Sequence, residues 1–304
     1  MAKRPTKVAL IYDFDETLST GYMQDFSLIP ALGMKPDRFW KMANQWSADQ
    51  EADQVTGSMY YFMKTAKEKK LRLTRQFLKK CGQNIEYFPG VREWFERINE
   101  YGKNLDLDIE HYLISSGYEE ILAGAEIRHY FKDMFACSYA FDEQGVPVWP
   151  ARVINYSIKV QFLSKINKGL CKIDDVAVNE FMPTEERPIP FDRMIYFGDG
   201  MTDIPSMKLV NERGGNAIAV YAPKKSHERK KAIKLLADNR VNFALPADYS
   251  ENKELDKVIK TILDKIATER DLDVLKNKEE KKKHFCKITE NTIKDIEENT
   301  KIDE

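Results

Sequence analysis

The sequence has only four cysteines, and they are far apart in the chain. No two of them have the CxxC spacing of a redox or zinc motif, and none stands near a histidine at the spacing of a zinc ligand pair. This absence argues against a zinc site and predicts reduced thiols in a cytoplasmic protein. The four are Cys81, Cys137, Cys171 and Cys286.

Long hydrophobic runs and a strong net charge are also absent. Nothing approaches a membrane span, and the start, MAKRPTK followed by five apolar residues, lacks the long apolar region and cleavage site of a secretory signal. Lys+Arg 48 against Asp+Glu 49 leave a formal charge of −1, so no global field attracts nucleic acid or an anionic membrane. The basic run KKSHERKKAIK predicts an exposed helix face. We therefore expect neither nucleic acid nor a membrane as partner.

The chain has 304 residues, of which 42% are hydrophobic. This length and composition predict a globular protein with one large core and a smaller second domain. Short apolar strands alternate with helical patterns, which predicts an α/β fold with a doubly wound, mainly parallel sheet. Residues 20–88 carry only helical patterns and predict an all-helical insertion after the first strand. The candidate strands are 8–12, 109–114, 194–197, 217–221 and 241–245.

Chemistry is expected where the first strand ends, in the run Asp13, Phe14, Asp15, Glu16, Thr17. In open α/β sheets, ligands bind beyond the carboxyl ends of the strands. Two carboxylates near one point repel each other, unless a divalent cation lies between them or one carboxyl is protonated. A bound divalent cation and a protonated carboxyl are both compatible with phosphoryl transfer. The alternative is that these side chains only cap a turn.

Three further signals follow along the chain, each with a structural alternative. Ser115 and Ser116 begin a Ser-Ser-Gly turn after the second strand, where a hydroxyl and backbone amides can hold a phosphate, although such loops are common. Lys159 lies early in a helical pattern, where most lysines face solvent. Asp199 and Asp203 belong to GDGMTD after the third clear strand, which is typical of a metal site but also of ordinary turns.

The four signals occur in one order, and in that order the chain resembles the haloacid dehalogenase-like (HAD) superfamily of phosphohydrolases over residues 7–250. An aspartate at position 15 matches the phosphatase branch, and the layout is most similar to phosphoserine phosphatases. The resemblance implies a Rossmann-like core with a helical cap. Residues 1–19 and 89–267 would form the core, 20–88 the cap, and 268–304 a charged helical or partly disordered tail.

The resemblance also implies roles for individual residues. Asp13 would be the nucleophile that forms an aspartyl-phosphate, and Asp15 the general acid and base. Lys159 would neutralise charge on Asp13 and on the transferring group. Thr17, Ser115 and Ser116 would orient the loop and bind phosphoryl oxygens. The implied ligands of Mg²⁺ are Asp13, the Asp15 carbonyl, Asp199 and Asp203.

One residue departs from the pattern. Tyr22 stands nine residues after Asp13, where phosphoserine phosphatases are expected to carry a glutamate that reads the amino group. Tyr22 is therefore a candidate wall of the leaving-group pocket, with ordinary cap packing as the alternative. We expect a Mg²⁺-dependent phosphatase acting on a small phosphorylated metabolite. A phosphomutase and a non-catalytic phosphate-binding module stay open, and the sequence does not indicate the oligomeric state or the substrate.

Overall fold

A computed structural model describes residues 5–170 and 176–300, with side chains up to residue 283. The chain divides into two compact units, Met1–Val258 and Ile259–Glu304. Within the described residues, no helix is both long enough and apolar enough to cross a membrane. Cys81 and Cys137 are buried free thiols, while Cys171 and the Cys286 side chain lie outside the described part.

The first unit is built on a sheet of seven strands in the order β4-β3-β2-β1-β5-β6-β7. All neighbouring strands are parallel except β3 and β4, which form an antiparallel hairpin. The predicted α/β class with a mainly parallel sheet is confirmed. The strands are β1 Thr6–Tyr12, β2 Leu107–Tyr118, β3 Phe131–Phe141, β4 Pro147–Arg152, β5 Met194–Gly198, β6 Asn216–Tyr221 and β7 Phe243–Pro246.

Four helices follow β1, in the region predicted to be an all-helical insertion. They are α1 Leu28–Ala31, α2 Pro36–Asp49, α3 Gln54–Glu68 and α4 Arg75–Cys81. Thr74 is of a residue type that caps helices and predicts a helix start. The α4 helix begins there as expected, because Thr74 accepts a hydrogen bond from the Phe77 amide at 3.0 Å. Ser58 can also cap a helix and predicts a start there, but α3 begins earlier, since Asp53 caps it instead. The limits of the predicted cap stay a prediction.

Six helices follow: α5 Val91–Asn104, α6 Glu119–Leu122, α7 Tyr156–Asn167, α8 Ile204–Glu212, α9 Ser226–Ala237 and α10 Glu254–Thr300. The apolar spacing over 119–131 predicts a helix, and this prediction is wrong. Only four residues form α6, a 3-10 turn Glu126–Tyr130 follows, and β3 begins at Phe131. Parallel pairing of β3 with β2 buries Phe131 and Phe135, whose spacing also fits a helix. The predicted tail boundary at residue 268 falls inside α10.

Aromatic packing holds the central strands at the level where the predicted site residues begin. The Tyr12 ring, at the end of β1, stacks on Phe197 of β5 with ring centroids 4.6 Å apart. Trp94 of α5 donates from Nε1 to the Tyr12 hydroxyl at 2.9 Å. All three side chains are fully buried. The ends of β1 and β5 are thereby fixed beside each other.

Candidate active site

Asp13, the first predicted site residue, extends the pairing of β1 with β5 by one further backbone hydrogen bond. The Asp13 amide donates to the Phe197 carbonyl at 2.9 Å, which places Asp13 next to the end of β5. The chain then turns sharply, because the Phe14 carbonyl accepts from the amides of Leu18 and Ser19 at 2.9 and 3.1 Å. Glu16 has a φ of 56° within this turn, in the left-handed region that side chains other than glycine seldom adopt. Asp13 and Asp199 therefore follow adjacent strand ends.

Lys159 joins two of the predicted residues. Asn155 caps α7 by accepting from the Ile158 amide at 3.2 Å, and Lys159 lies in the first turn with no exposed surface. Its Nζ lies 2.9 Å from Asp13 Oδ1 and 2.8 Å from Asp203 Oδ1. Burial lowers the pKa of this lysine, but the two carboxylates outweigh burial and hold the pKa above its ordinary value. Lys159 is thus a buried cation and not a solvated surface lysine.

One carboxylate oxygen of Asp203 accepts two hydrogen bonds, and the other has no partner among the described residues. Oδ1 accepts from Lys159 and from the Tyr196 hydroxyl at 2.7 Å, whereas the buried Oδ2 has no hydrogen-bond partner among the described residues. Carboxylate oxygens of Asp13, Asp199 and Asp203 lie within 4.8 Å of one another. An all-oxygen donor set with an unpartnered buried carboxylate oxygen fits a hard divalent cation such as Mg²⁺.

The raised pKa values of two carboxyl groups in the cluster also indicate a cation site. Burial raises the pKa of Asp13 to about 6, although Lys159 opposes the rise. Burial, followed by the carboxylates of Asp203 and Asp13, raises the pKa of Asp199 well above its ordinary value. Lys159 pairs with two of the three carboxylates, Asp13 and Asp203, so a bound cation would further favour the ionised forms of the cluster.

Gly198 lets the Asp203 side chain approach the backbone. A Cβ at this position would lie 2.6 Å from Asp203 Cγ, whereas a Cβ at Gly200 would meet nothing within 4 Å. We expect Gly198→Ala to lower the free energy of unfolding by about 1–3 kcal/mol, because Asp203 must shift from its buried ion pair. Gly200→Ala is the matched control. Urea unfolding of both variants tests this, and equal stabilities would contradict the close contact.

The other predicted residues are distributed around the cluster. Ser115 is buried at the end of β2, and its Oγ accepts from the Gly117 amide at 2.9 Å. Ser115 to Gly117 continue β2, so the predicted turn before a helix is not formed there. Thr17 is fully buried, and its hydroxyl has no partner among the described residues. Tyr22 is 43% exposed and packs edge-on against Trp40 at 5.3 Å.

Asp15 faces a cavity and not the cluster. Its Oδ1 accepts from the Met23 amide at 2.8 Å. Burial, then the Asp13 carboxylate, raises the Asp15 pKa well above its ordinary value, which favours the protonated form of this carboxyl. Asp15, Tyr22 and Ser116 line a cavity of about 500 Å³ together with α2 and α3.

Two contributors to the site were not predicted from the sequence. Tyr196 holds Asp203, and the only signal was a tyrosine within an otherwise apolar buried strand. Trp40 lines the cavity, whereas the aromatic stripe of α2 and α3 predicts helix core. Its buried neighbour Phe39 does fill that core, with its ring 4.0 Å from Phe62. Helical spacing alone does not separate the environments of these two neighbouring aromatic residues.

Comparisons with known proteins agree with this architecture. An uncharacterized protein of Borreliella burgdorferi is 27% identical over 283 residues, covering 84% of this chain and 96% of that protein. A HAD family hydrolase from Salmonella enterica serovar Typhi has a TM-score of 0.53 at 16% identity, covering 86% of this chain and 73% of that one. A phosphoserine phosphatase, solved as a phospho-aspartyl intermediate analogue, gives a TM-score of 0.50 at 16% identity, with 84% and 99% covered.

The structural matches, at this identity, establish the fold, and a family model adds the class of protein. The model described as Putative Phosphatase matches residues 8–261, which include every predicted site residue. This chain therefore belongs to the Putative Phosphatase family and is a phosphatase with the fold of the HAD hydrolases.

Proposed function

We propose that the protein is a Mg²⁺-dependent phosphatase that hydrolyses a small phosphomonoester through an aspartyl-phosphate on Asp13. One observation carries this proposal: Asp13, at the end of the central strand, is held 2.9 Å from a buried lysine, beside two further aspartates. A charged nucleophile, a cation to neutralise it and a set of hard ligands are the parts that phosphoryl transfer requires. Free Cys81 and Cys137 support a reducing, cytoplasmic setting.

The reaction has two displacement steps at phosphorus. In the first, an Asp13 oxygen attacks and the bond to the alcohol oxygen breaks, while protonated Asp15 gives its proton to that oxygen. In the second, Asp15 accepts a proton from water, the water oxygen attacks phosphorus, and the bond to Asp13 breaks. The raised pKa of Asp15 supports its starting as the acid. Lys159 holds Asp13 in place and offsets the negative charge of the phosphoryl group.

The cation belongs to the same proposal. Asp13, Asp199 and Asp203 would hold Mg²⁺ through carboxylate oxygens, with the Asp15 carbonyl as a further ligand. When bound, Mg²⁺ neutralises charge on the phosphoryl oxygens. In this proposal Thr17 orients the loop, and Ser115 and Ser116 donate hydrogen bonds to phosphoryl oxygens.

Hydrolysis of p-nitrophenyl phosphate with and without Mg²⁺ tests the function directly. We expect phosphate release that requires a divalent cation and stops when EDTA is added. Assaying p-nitrophenol and inorganic phosphate together separates hydrolysis from transfer, because a phosphotransferase releases the phenol without equal phosphate. No turnover under any cation would contradict the proposal and favour a binding module.

Removing one ligand should change the cation requirement. Asp199→Ala takes away a carboxylate of the cluster, so we expect the Mg²⁺ concentration at half-maximal rate to rise at least about tenfold, or activity to be lost. Asp192→Ala, an exposed aspartate just before β5, is the matched control. An unchanged Mg²⁺ titration for Asp199→Ala would show that Asp199 is not a ligand.

A further inference from the structure

The cavity next to Asp15 is in the position of a leaving-group site. The carboxyl proposed to protonate the departing oxygen lines it, whereas the nucleophile Asp13 does not. A leaving group must therefore extend away from Asp13 into the cavity. At about 500 Å³ the cavity has room for far more than a phosphoryl group. If the proposed phosphatase function holds, the lining of this cavity decides which alcohols are accepted.

Charge is the clearest property of the lining. Among the described residues that line the cavity there is no lysine or arginine, but there are two aspartates, Asp15 and the more exposed Asp37. Burial raises the pKa of nearby Asp25, and the Glu16 and Asp37 carboxylates add to the rise. Burial raises the pKa of Tyr22 as well, and here four surrounding carboxylates add to it. With Asp15 protonated as the proposed acid, the described lining keeps a negative charge on Asp37 and has no positive charge.

Two lysines form ion pairs around the site, and neither lines the cavity. Lys159 is buried between Asp13 and Asp203. Lys225 lies 3.1 Å from Glu16 and 2.8 Å from Glu228, so its charge is shared between two carboxylates. Both lysines have carboxylate partners already and lie outside the cavity lining. A second anion on the substrate would have no cation to meet it there.

The polar groups of the wall offer acceptors. Gln24 is 3% exposed, and its Oε1 has no hydrogen-bond partner among the described residues. The Trp40 Nε1 donates to Asp25 Oδ1 at 2.8 Å, so its indole is held in place and presents only its ring to a ligand. An unpartnered acceptor and a fixed ring suit hydroxyl groups on a carbon skeleton.

We propose that this cavity selects phosphate monoesters whose leaving group carries hydrogen-bond donors and no negative charge. A carboxylate or a second phosphate in the leaving group meets the Asp37 carboxylate without a compensating cation in the described lining. Asp37 is the residue that sets this selection at the rim of the cavity, and Gln24 supplies the acceptor within it.

Glycerol 3-phosphate and 3-phosphoglycerate form a matched pair for the test. They share a three-carbon skeleton and a primary phosphate, and they differ in a hydroxymethyl group against a carboxylate. We expect kcat/KM to favour glycerol 3-phosphate by about tenfold or more, because like charges across a binding site are strongly disfavoured. Inhibition of p-nitrophenyl phosphate turnover by each ester gives the same comparison when either ester is turned over slowly.

Variants of Asp37 assign the effect to this residue. Asp37→Asn should reduce the preference at least about threefold, and Asp37→Lys should reduce it further or reverse it. Asp49→Asn removes the same charge from an exposed position of the same helix, outside the cavity, and should leave the ratio unchanged. The ratio between two substrates is insensitive to the fraction of folded protein, so a partly unfolded variant still gives a valid reading.

The outcomes separate this inference from the proposed function. If p-nitrophenyl phosphate is hydrolysed and 3-phosphoglycerate is used or bound as well as glycerol 3-phosphate, the inference is overturned and the phosphatase stands. A preference that is unaffected by both Asp37 variants also overturns the role of that residue. If no ester is hydrolysed, the phosphatase proposal itself fails, and the inference fails with it.

Discussion

Asp13→Asn is expected to lower kcat/KM for p-nitrophenyl phosphate by roughly four orders of magnitude or more, while the protein stays folded. Asparagine keeps the shape of the side chain but has no anionic oxygen with which to attack phosphorus. The fold should tolerate the change because the ionised carboxylate is itself costly in this buried position and because Lys159 keeps Asp203 as its partner. Burial raises the Asp13 pKa to about 6, so ionisation of this carboxyl weakens the fold progressively between about pH 4 and pH 6 and by a constant amount above that.

The control for this variant is Asp49→Asn, which removes an exposed carboxylate from α2. Its rate and its thermal unfolding should match those of the unmodified protein. Mass spectrometry after denaturation in acid should detect phosphate on the unmodified protein mixed with substrate, and none on Asp13→Asn. Turnover by Asp13→Asn near the unmodified rate would disprove the aspartyl-phosphate mechanism.

Lys159→Met is expected to reduce both activity and stability. Methionine fills a similar volume without charge, so Asp13 and Asp203 would lose their shared cation inside the protein. Breaking a buried ion pair by removing one partner costs about 3–5 kcal/mol. The Lys159 pKa in the fold lies above its ordinary value of 10.5, so its stabilising contribution is fully present at pH 8 and is lost only at still higher pH.

Urea unfolding at pH 8 without divalent cations measures this loss. Activity should fall at least about a hundredfold, since Lys159 lowers the pKa of Asp13 and its removal leaves less of the nucleophile ionised. Adding Mg²⁺ should recover part of the stability if the cation shares these carboxylates. Lys234→Met, in the exposed face of α9, is the control. Equal stability for both variants would contradict the role of the buried pair.

Much of the core could be predicted from local sequence, because its strands are apolar runs that end where polar residues begin. The apolar run before Asp13 and the run before Gly198 each form a buried strand, and both carry aspartates beyond the strand end. Parallel strands buried on both faces are continuous apolar runs, which makes them easy to recognise. Helix starts with a clear cap, such as Thr74 before α4, are local in the same way.

The features that could not be predicted depend on residues far apart in the sequence. Burial of Lys159 follows from its packing against Asp13 and Asp203, which no local pattern encodes. The same is true of Trp40, since only the folded chain shows which side of α2 faces the cavity. The segment 119–131 has apolar spacing that suits a helix, and the pairing of β3 with β2 overrides it.

The central position of β1 has a consequence for how the chain acquires its structure. Thr6 pairs with Leu107, 101 positions later, and Ala9 with Met194, 185 positions later. Contacts this distant in sequence make folding slow, because long loops must close before the pairing stabilises anything. During synthesis, β1 has one edge without a partner until β5 has left the ribosome. Asp13, Lys159 and Asp203 therefore come together only after residue 203 has been made, so a shorter nascent chain exposes an unpaired apolar strand edge, which favours aggregation.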